Sequence, residues 1–364
     1  MSAHVLAACR SAVAPRGGAF AALGLADLGA PVLRAALAHS GIASDAVDEV
    51  IVSNAIGGGG NPARLVALAA GLPEGIAGLS IDRQCAGGLD ALLLARQMIL
   101  AGDADVVIAG GVESYSRRPL RLRTFADNRP AEPYDQPPFT PWPDRDPDMT
   151  NAAEALAVAA AIPRARQDAW AVDSHAKARA ATFSDAEIVP LQGLARDAFT
   201  RNLTPALAAR AKVLAGSVTA ANTAVAADAA AFCVVVSDRY RSDGAVEILG
   251  GATVGDTPEL PGIAPVAASR RALQRCGLTV EDIDLAEVME AYAVQAIACV
   301  DALGLDPARV NAGGGALARG HPIGASGAIN AVRLFHDLRG RGGGTGLATI
   351  AAAGGIASAV ILRA

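Results

Sequence analysis

Lysine is almost missing from this chain: Lys177 and Lys212 are the only two among 364 residues. Both fall in polar, helix-like surroundings, which argues against Schiff-base chemistry. Aromatic side chains make up only 4 %, against 52 % hydrophobic residues overall. The core must therefore be built from Ala, Val, Leu and Ile. Such small side chains let helices and strands approach closely, which suits a layered α/β protein better than a β-sandwich. Neither a nucleophile-elbow GxSxG nor a phosphate-binding P-loop occurs. The five cysteines (Cys9, Cys85, Cys233, Cys276, Cys299) are odd in number and never form a CxxC pair. That excludes a disulfide framework and a thiolate zinc site, and it fits a reducing, cytoplasmic setting. His4, His39, His175, His321 and His336 show no ligand spacing, so no metal is expected. With a net charge of −5 and no basic run, nucleic acid is not an expected partner. Local arginines can still hold an anionic ligand. The longest apolar stretch, Leu347 to Leu362, falls short of the ~20 residues of a membrane span. It is interrupted by Gly354-Gly355 and reads as buried strand, so no membrane is expected. Residues 1–26 carry Arg10 and Arg16 and no acid, a bias shared with transit peptides. A first strand at VLAAC followed by a turn at Gly17-Gly18 is the better reading.

At 364 residues the chain is about twice the usual single-domain size, pointing to two similar domains or one domain with insertions. An internal repeat favours the first. RAALAHSGIASDAVDEV from Arg34 matches RRALQRCGLTVEDIDLA from Arg270, an offset of 270 − 34 = 236. Ala36, Leu37, Gly41, Val47 and Asp48 then meet Ala272, Leu273, Gly277, Ile283 and Asp284. Each segment reads as a helix, a glycine stop, an acidic turn and an apolar run. The same offset carries Cys85 to His321, and each precedes a glycine-rich helix start and a later apolar strand (DVVIAGG, LATIAAAGG). A repeat of this period indicates duplicated domains rather than a solenoid. Packed about a pseudo-twofold axis, the two helix starts can face each other, and Cys85 and His321 meet. Between the halves, Arg117 to Val213 reads as an insertion. It opens on Arg117, Arg118, Arg121 and Arg123, continues through PAEPYDQPPFTPWPDRDP, and contains a helix over 165–181.

Cys85 lies between an apolar stretch and a helix. A thiol at a helix N-terminus sees the positive end of the macrodipole and free amide donors, and both favour the thiolate. The bland alternative is an inert buried cysteine. The glycines that follow leave room for a bulky thioester. His321, in GHPIGASG, has its backbone fixed by Pro322 and its surroundings kept open by Gly324 and Gly327. A neutral imidazole near Cys85 can hold its proton or polarise a thioester carbonyl; otherwise it is a surface-turn histidine. Glu290, in VMEAYAVQ, follows an apolar strand, where it can orient His321, bind water, or be a paired edge carboxylate. Small-residue runs at Gly313-Gly314-Gly315 and Ala351–Gly355 can present backbone N–H groups as an oxyanion hole.

Together these segments resemble the thiolase family from Arg10 through Leu362. RQCAGGLDA resembles the motif around the acyl-accepting cysteine, and GGVESYS the stretch after it. DMTNAAEALA resembles the insertion motif, and GSVTAANTAVAADAAA the motif near the coenzyme A arm. VMEAYA resembles the Asn-Glu-Ala-Phe motif, and VNAGGGALARGHPIGASG the histidine motif. The resemblance implies two pseudo-twofold βαβαβαββ halves in a five-layer α/β/α/β/α core, with an inserted loop domain. The halves would be residues 1–116 plus 214–240 and residues 241–364, with 117–213 inserted, in a homodimer or homotetramer. Coenzyme A is implied as substrate or product, acyl-CoA as ligand, and no covalently bound cofactor. The implied catalytic set is Cys85 as acyl acceptor, His321 as its activator, Glu290, and the backbone N–H groups of Cys85 and Ala353 as oxyanion donors. Met289, Tyr292, Ala224, Asn222, Gly315 and Gly324 are the implied substrate-binding positions.

The chain also departs from that pattern. A second cysteine, which exchanges a proton with the other acyl group, is replaced by Ala351. The Asn that helps hold a water is Met289, and the serine of the coenzyme A arm motif is Ala224. Acylation of Cys85 needs only nucleophile, base and oxyanion donors, so it is expected to survive. Carbon–carbon bond chemistry is expected to be slow or absent. The alternatives are a thiolase with a replacement base, a transferase or thioesterase without Claisen chemistry, and a non-catalytic thiolase-like subunit.

Overall fold

A computed structural model describes residues 1–364. The first half runs β1 (Ala3–Ser11), α1 (Leu25–Ser40), β2 (Glu49–Ser53), α2 (Pro62–Ala69), β3 (Leu79–Ile81), α3 (Gly87–Ala101) and β4 (Val106–Ser114). After the segment carrying α4 (Met149–Ala159) and α5 (Arg164–Ala180), the chain returns to the same sheet as β5 (Ala227–Ser237). The second half repeats the sequence as β6 (Val246–Gly255), α6 (Ala264–Cys276), β7 (Leu285–Val288), α7 (Ala293–Leu303), the short α8 (Ala316–Arg319), α9 (Ile323–Gly340), β8 (Thr345–Ala352) and β9 (Ile356–Arg363). The α5 bounds agree with the sequence expectation to one residue. The apolar stretch 347–362 is a hairpin rather than one strand. Gly354 and Gly355 both take φ of 76°, which only glycine adopts without strain, and turn β8 back along β9.

The 236-residue offset holds in three dimensions. Helices α1 and α6 end on left-handed glycines, Gly41 (φ 69°) and Gly277 (φ 66°). Strand β7 starts 285 − 49 = 236 residues after β2, and α9 starts 323 − 87 = 236 after α3. The counterpart of β3 has shrunk to a single parallel bridge, Ala286 to Val310.

Strands follow the order β7-β8-β9-β6-β1-β5-β4-β2-β3. The two sheets join through only two residue pairs, His4 with Glu247 and Val5 with Val246. Helices α1 and α2 cover one outer face, and α6 and α7 the other. Helices α3 and α9 lie between the sheets in a shared apolar core, completing five layers. The alanine-rich composition is what allows this. A Cβ added at Gly88 would lie 2.3 Å from the Ala328 nitrogen, and one at Gly327 2.7 Å from the Leu89 nitrogen. The central helices therefore cross backbone to backbone.

A buried ionic cluster ties 181–204 to both halves. Arg10 on β1 is fully buried and donates to Glu187 Oε1 at 2.8 Å and Asp197 Oδ1 at 2.7 Å. Arg333 on α9 pairs with Glu187 as well, and with Asp337 at 2.6 Å.

A methyl group at the crossing must push α3 and α9 apart. Gly88→Ala is expected to lower stability by about 1–3 kcal/mol in a urea titration. An unchanged midpoint would show that the crossing tolerates a side chain.

Candidate active site

Strand β3 ends at Ile81, and the chain must turn sharply to enter α3. Gln84 makes the turn with φ of 51°, unusual for a residue with a Cβ, and its N–H donates to Asp82 Oδ1 at 2.8 Å. Cys85 follows in the 3₁₀ turn that leads into the helix. On the other side, Gly320 (φ 112°) delivers His321, whose N–H donates to the Val225 carbonyl at 2.7 Å. Pro322 then caps α9. The Cys85 Sγ lies 3.1 Å from His321 Nε2. The opposite ring nitrogen, Nδ1, is 2.7 Å from Ser326 Oγ, which donates to the Pro322 carbonyl at 2.9 Å.

Burial sets the charge state of this pair. It pushes the Cys85 thiol up to about 12, helped by the nearby acids Glu113 and Asp82 and opposed by the backbone N–H of Cys85 itself. Burial also holds His321 down at about 4. Both shifts favour the neutral thiol and the neutral imidazole. Desolvation thus opposes the thiolate that the helix terminus favours.

A cavity of about 210 Å³ opens above the pair. Its walls are nearly all apolar: Ala152 and Leu156 of α4, Ala224, Ala351 and Ala353. Tyr292 lines it too, with its hydroxyl 3.3 Å from Thr150 Oγ1. No carboxylate and no thiol other than Cys85 borders it. The N–H groups of Cys85 and Ala353 donate to no other residue and are free for a ligand oxygen.

Several expected residues stand behind the walls instead. Glu290 makes no hydrogen bond to His321. Its carboxylate accepts from Trp170 Nε1 (2.9 Å), Ser174 Oγ (2.8 Å), Asn311 Nδ2 (2.9 Å) and the Leu317 N–H (3.2 Å). Four donors leave it no capacity for an imidazole, so its place is structural. Met289 is buried in the central apolar core. The Asn222 side chain is used up on the Thr219 N–H, Asp168 and the Ser217 carbonyl. Gly315 makes room for Glu290, since a Cβ there would sit 2.1 Å from Oε2. Gly324 lies under the floor, donating its N–H to Glu113 Oε2 at 2.9 Å.

Sequence reasoning missed two residues. Ser326 is hidden in GASG, although a serine four residues after Pro322 at a helix start has a ready backbone acceptor. Glu113 is an acid in the apolar run VVIAGGVES, and that was its signal. Fully buried, it accepts from Asn54 Nδ2 (2.7 Å) and from the Ala55 and Gly324 N–H groups, and burial raises it to about 7. It fastens the start of α9 to the loop after β2.

Comparison with known proteins gives the family of the chain. Residues 3–239 match the thiolase N-terminal domain, and residues 244–364 match the thiolase C-terminal domain. The chain belongs to the thiolase family. It is 37 % identical over 396 residues to the acetyl-CoA acetyltransferase of Cupriavidus necator, covering 99 % of this chain and 98 % of that one. The acetyl-CoA acetyltransferase of Chromobacterium violaceum is 38 % identical over 397 residues, with full coverage of both. The crystal structure of the Bacillus anthracis acetyl-CoA acetyltransferase superposes with a TM-score of 0.93 at 34 % identity, covering 100 % of this chain and 98 % of that one. This thiolase-family chain is an acyltransferase-class enzyme by that membership. No helix is long and apolar enough to cross a membrane.

A neutral resting pair has a chemical signature. The rate of Cys85 alkylation by iodoacetamide is expected to keep climbing from pH 7 to 10, as a thiol raised to about 12 requires. A plateau already reached below pH 7 would reveal a resting thiolate–imidazolium pair and overturn this assignment.

Proposed function

We propose that this protein takes an acyl group from an acyl-CoA onto Cys85 as a thioester and hands it to a thiol or to water, with carbon–carbon bond formation slow or absent. The observation that carries this reading is Ala351 in the cavity wall, with no thiol or carboxylate elsewhere on the cavity to replace a proton-transfer group. Acylation itself has what it needs: Cys85 as nucleophile, His321 at 3.1 Å as proton acceptor, and the unpaired N–H groups of Cys85 and Ala353 as oxyanion donors. The nucleophile attacks from within hydrogen-bonding reach of its base, the geometry that proton transfer requires. The relatives' names support coenzyme A thioesters as the donor class. Tyr292 and Ala224 line the cavity, which supports their reading as substrate-binding positions. Removing a proton from an unactivated acyl-CoA is another matter. General-base assistance is worth ~10²–10⁴-fold, and alanine supplies none.

A second reading, C-acetyl transfer with His321 serving both proton transfers, is favoured by the names of the relatives. A cytoplasmic homodimer or homotetramer, with residues 117–213 as an inserted loop domain between two thiolase halves, is proposed for either reading.

Intact-mass analysis after incubation with acetyl-CoA is expected to show an acyl adduct on the wild type and none on Cys85→Ser. Deuterium from solvent is expected not to enter the acetyl methyl group. Exchange at a wild-type thiolase rate would favour the second reading, and the lack of any adduct would overturn both. Ala351→Cys places a thiol on the cavity wall and is expected to raise methyl-proton exchange by at least ~10²-fold. No rise would mean that Ala351 is not what limits carbon chemistry.

A further inference from the structure

We propose that Ser326 is the positioning residue that fixes which nitrogen of His321 carries the proton, a task usually given to a carboxylate or an amide. The inference rests on the reading of Cys85 as acyl acceptor, and its own evidence is a chain of three contacts. Ser326 Oγ lies 2.9 Å from the Pro322 carbonyl and 2.7 Å from His321 Nδ1, and His321 Nε2 lies 3.1 Å from Cys85 Sγ. A carbonyl oxygen only accepts, so the single hydroxyl proton of Ser326 points at Pro322. The remaining lone pairs of Oγ then face Nδ1, and a contact there requires an N–H on Nδ1. In a neutral imidazole this leaves Nε2 with its lone pair toward the Cys85 thiol. Donation runs one way: Sγ–H to Nε2, Nδ1–H to Oγ, Oγ–H to the Pro322 carbonyl. Reversing it would leave two oxygens 2.9 Å apart with no proton between them. It would also put an N–H opposite the thiol, leaving the S–H without an acceptor.

No carboxylate takes this role. Glu290 is occupied by four donors on the far side of the wall, and Glu113 by Asn54 and backbone N–H groups. Neither contacts the ring. A serine orients the imidazole without supplying a counter-charge, so the imidazolium stays a transient. In acylation, the Cys85 sulfur forms a bond to the thioester carbonyl carbon and its proton moves to Nε2. The bond from that carbon to the coenzyme A sulfur breaks, and the Nε2 proton leaves with that sulfur as free thiol. Nothing is oxidised or reduced, and the histidine ends as it began, neutral and protonated on Nδ1.

The test is long-range proton–nitrogen correlation NMR on the ¹⁵N-labelled full chain. Wild type is expected to show His321 as the Nδ1–H tautomer. In Ser326→Ala the Nε2–H form is expected to dominate, with the rate of Cys85 acylation by acetyl-CoA down about 10–100-fold at an unchanged half-saturating concentration. Ser326→Thr, which keeps the hydroxyl, is expected to restore both. Nε2–H in the wild type overturns the proposal, as does a Ser326→Ala protein with wild-type tautomer and rate. Should Ser326→Ala fail to fold, the wild-type spectrum still decides. Should no thioester modify Cys85, the proposed function falls, while the tautomer remains a separate result.

Discussion

The close crossing of α3 and α9 is the constraint on which the site depends. Glycines 88 and 327 let the two backbones touch, and no other residue pair could do so without opening the central layer. Their N-terminal ends consequently share a floor, which is where a duplicated architecture puts equivalent positions. One end carries a thiol and the other an imidazole. The alanine-rich core follows from the same constraint, because five layers built on a touching central pair leave little thickness for large side chains.

Depth has an electrostatic result that a helix terminus cannot undo. Burial raises the Cys85 thiol and lowers the His321 imidazole, so it favours the uncharged form of each. On the proposed reading the thiolate is made only as a substrate is attacked, its proton passing to His321 Nε2. That suits a thiol that must persist unmodified beside water and stray electrophiles. In the proposed acyl transfer the unpaired N–H groups of Cys85 and Ala353, set in an apolar cavity, supply what the absent charges do not.

The sequence carried the architecture because both halves obey one pattern. Gly41 and Gly277 stop matched helices, and a constant 236-residue shift brought Cys85 and His321 together before any coordinates did. The motifs around these residues identified the family. What was illegible depended on three-dimensional surroundings. Glu290 reads as an isolated acid, and only the fold shows Trp170, Ser174, Asn311 and Leu317 converging on it. Asn222 and Met289 look like binding residues in their motifs, but each faces the interior. The helix start that favours a thiolate is legible in the sequence, whereas the burial of Cys85 that opposes it is a property of the fold. The strand expected over 347–362 followed hydrophobicity and underweighted two glycines at its centre.

Glu187 lies in neither repeat yet serves as the shared counter-ion of Arg10 on β1 and Arg333 on α9. If the intervening segment lifted away, Arg10 would lose both of its carboxylates and Arg333 would keep only Asp337, and losing one partner of a buried pair costs about 3–5 kcal/mol. A partly melted species with its halves docked and this segment loose is thus disfavoured. The stretch around Glu187 is thereby coupled to both halves at once, and its docking and theirs are one event.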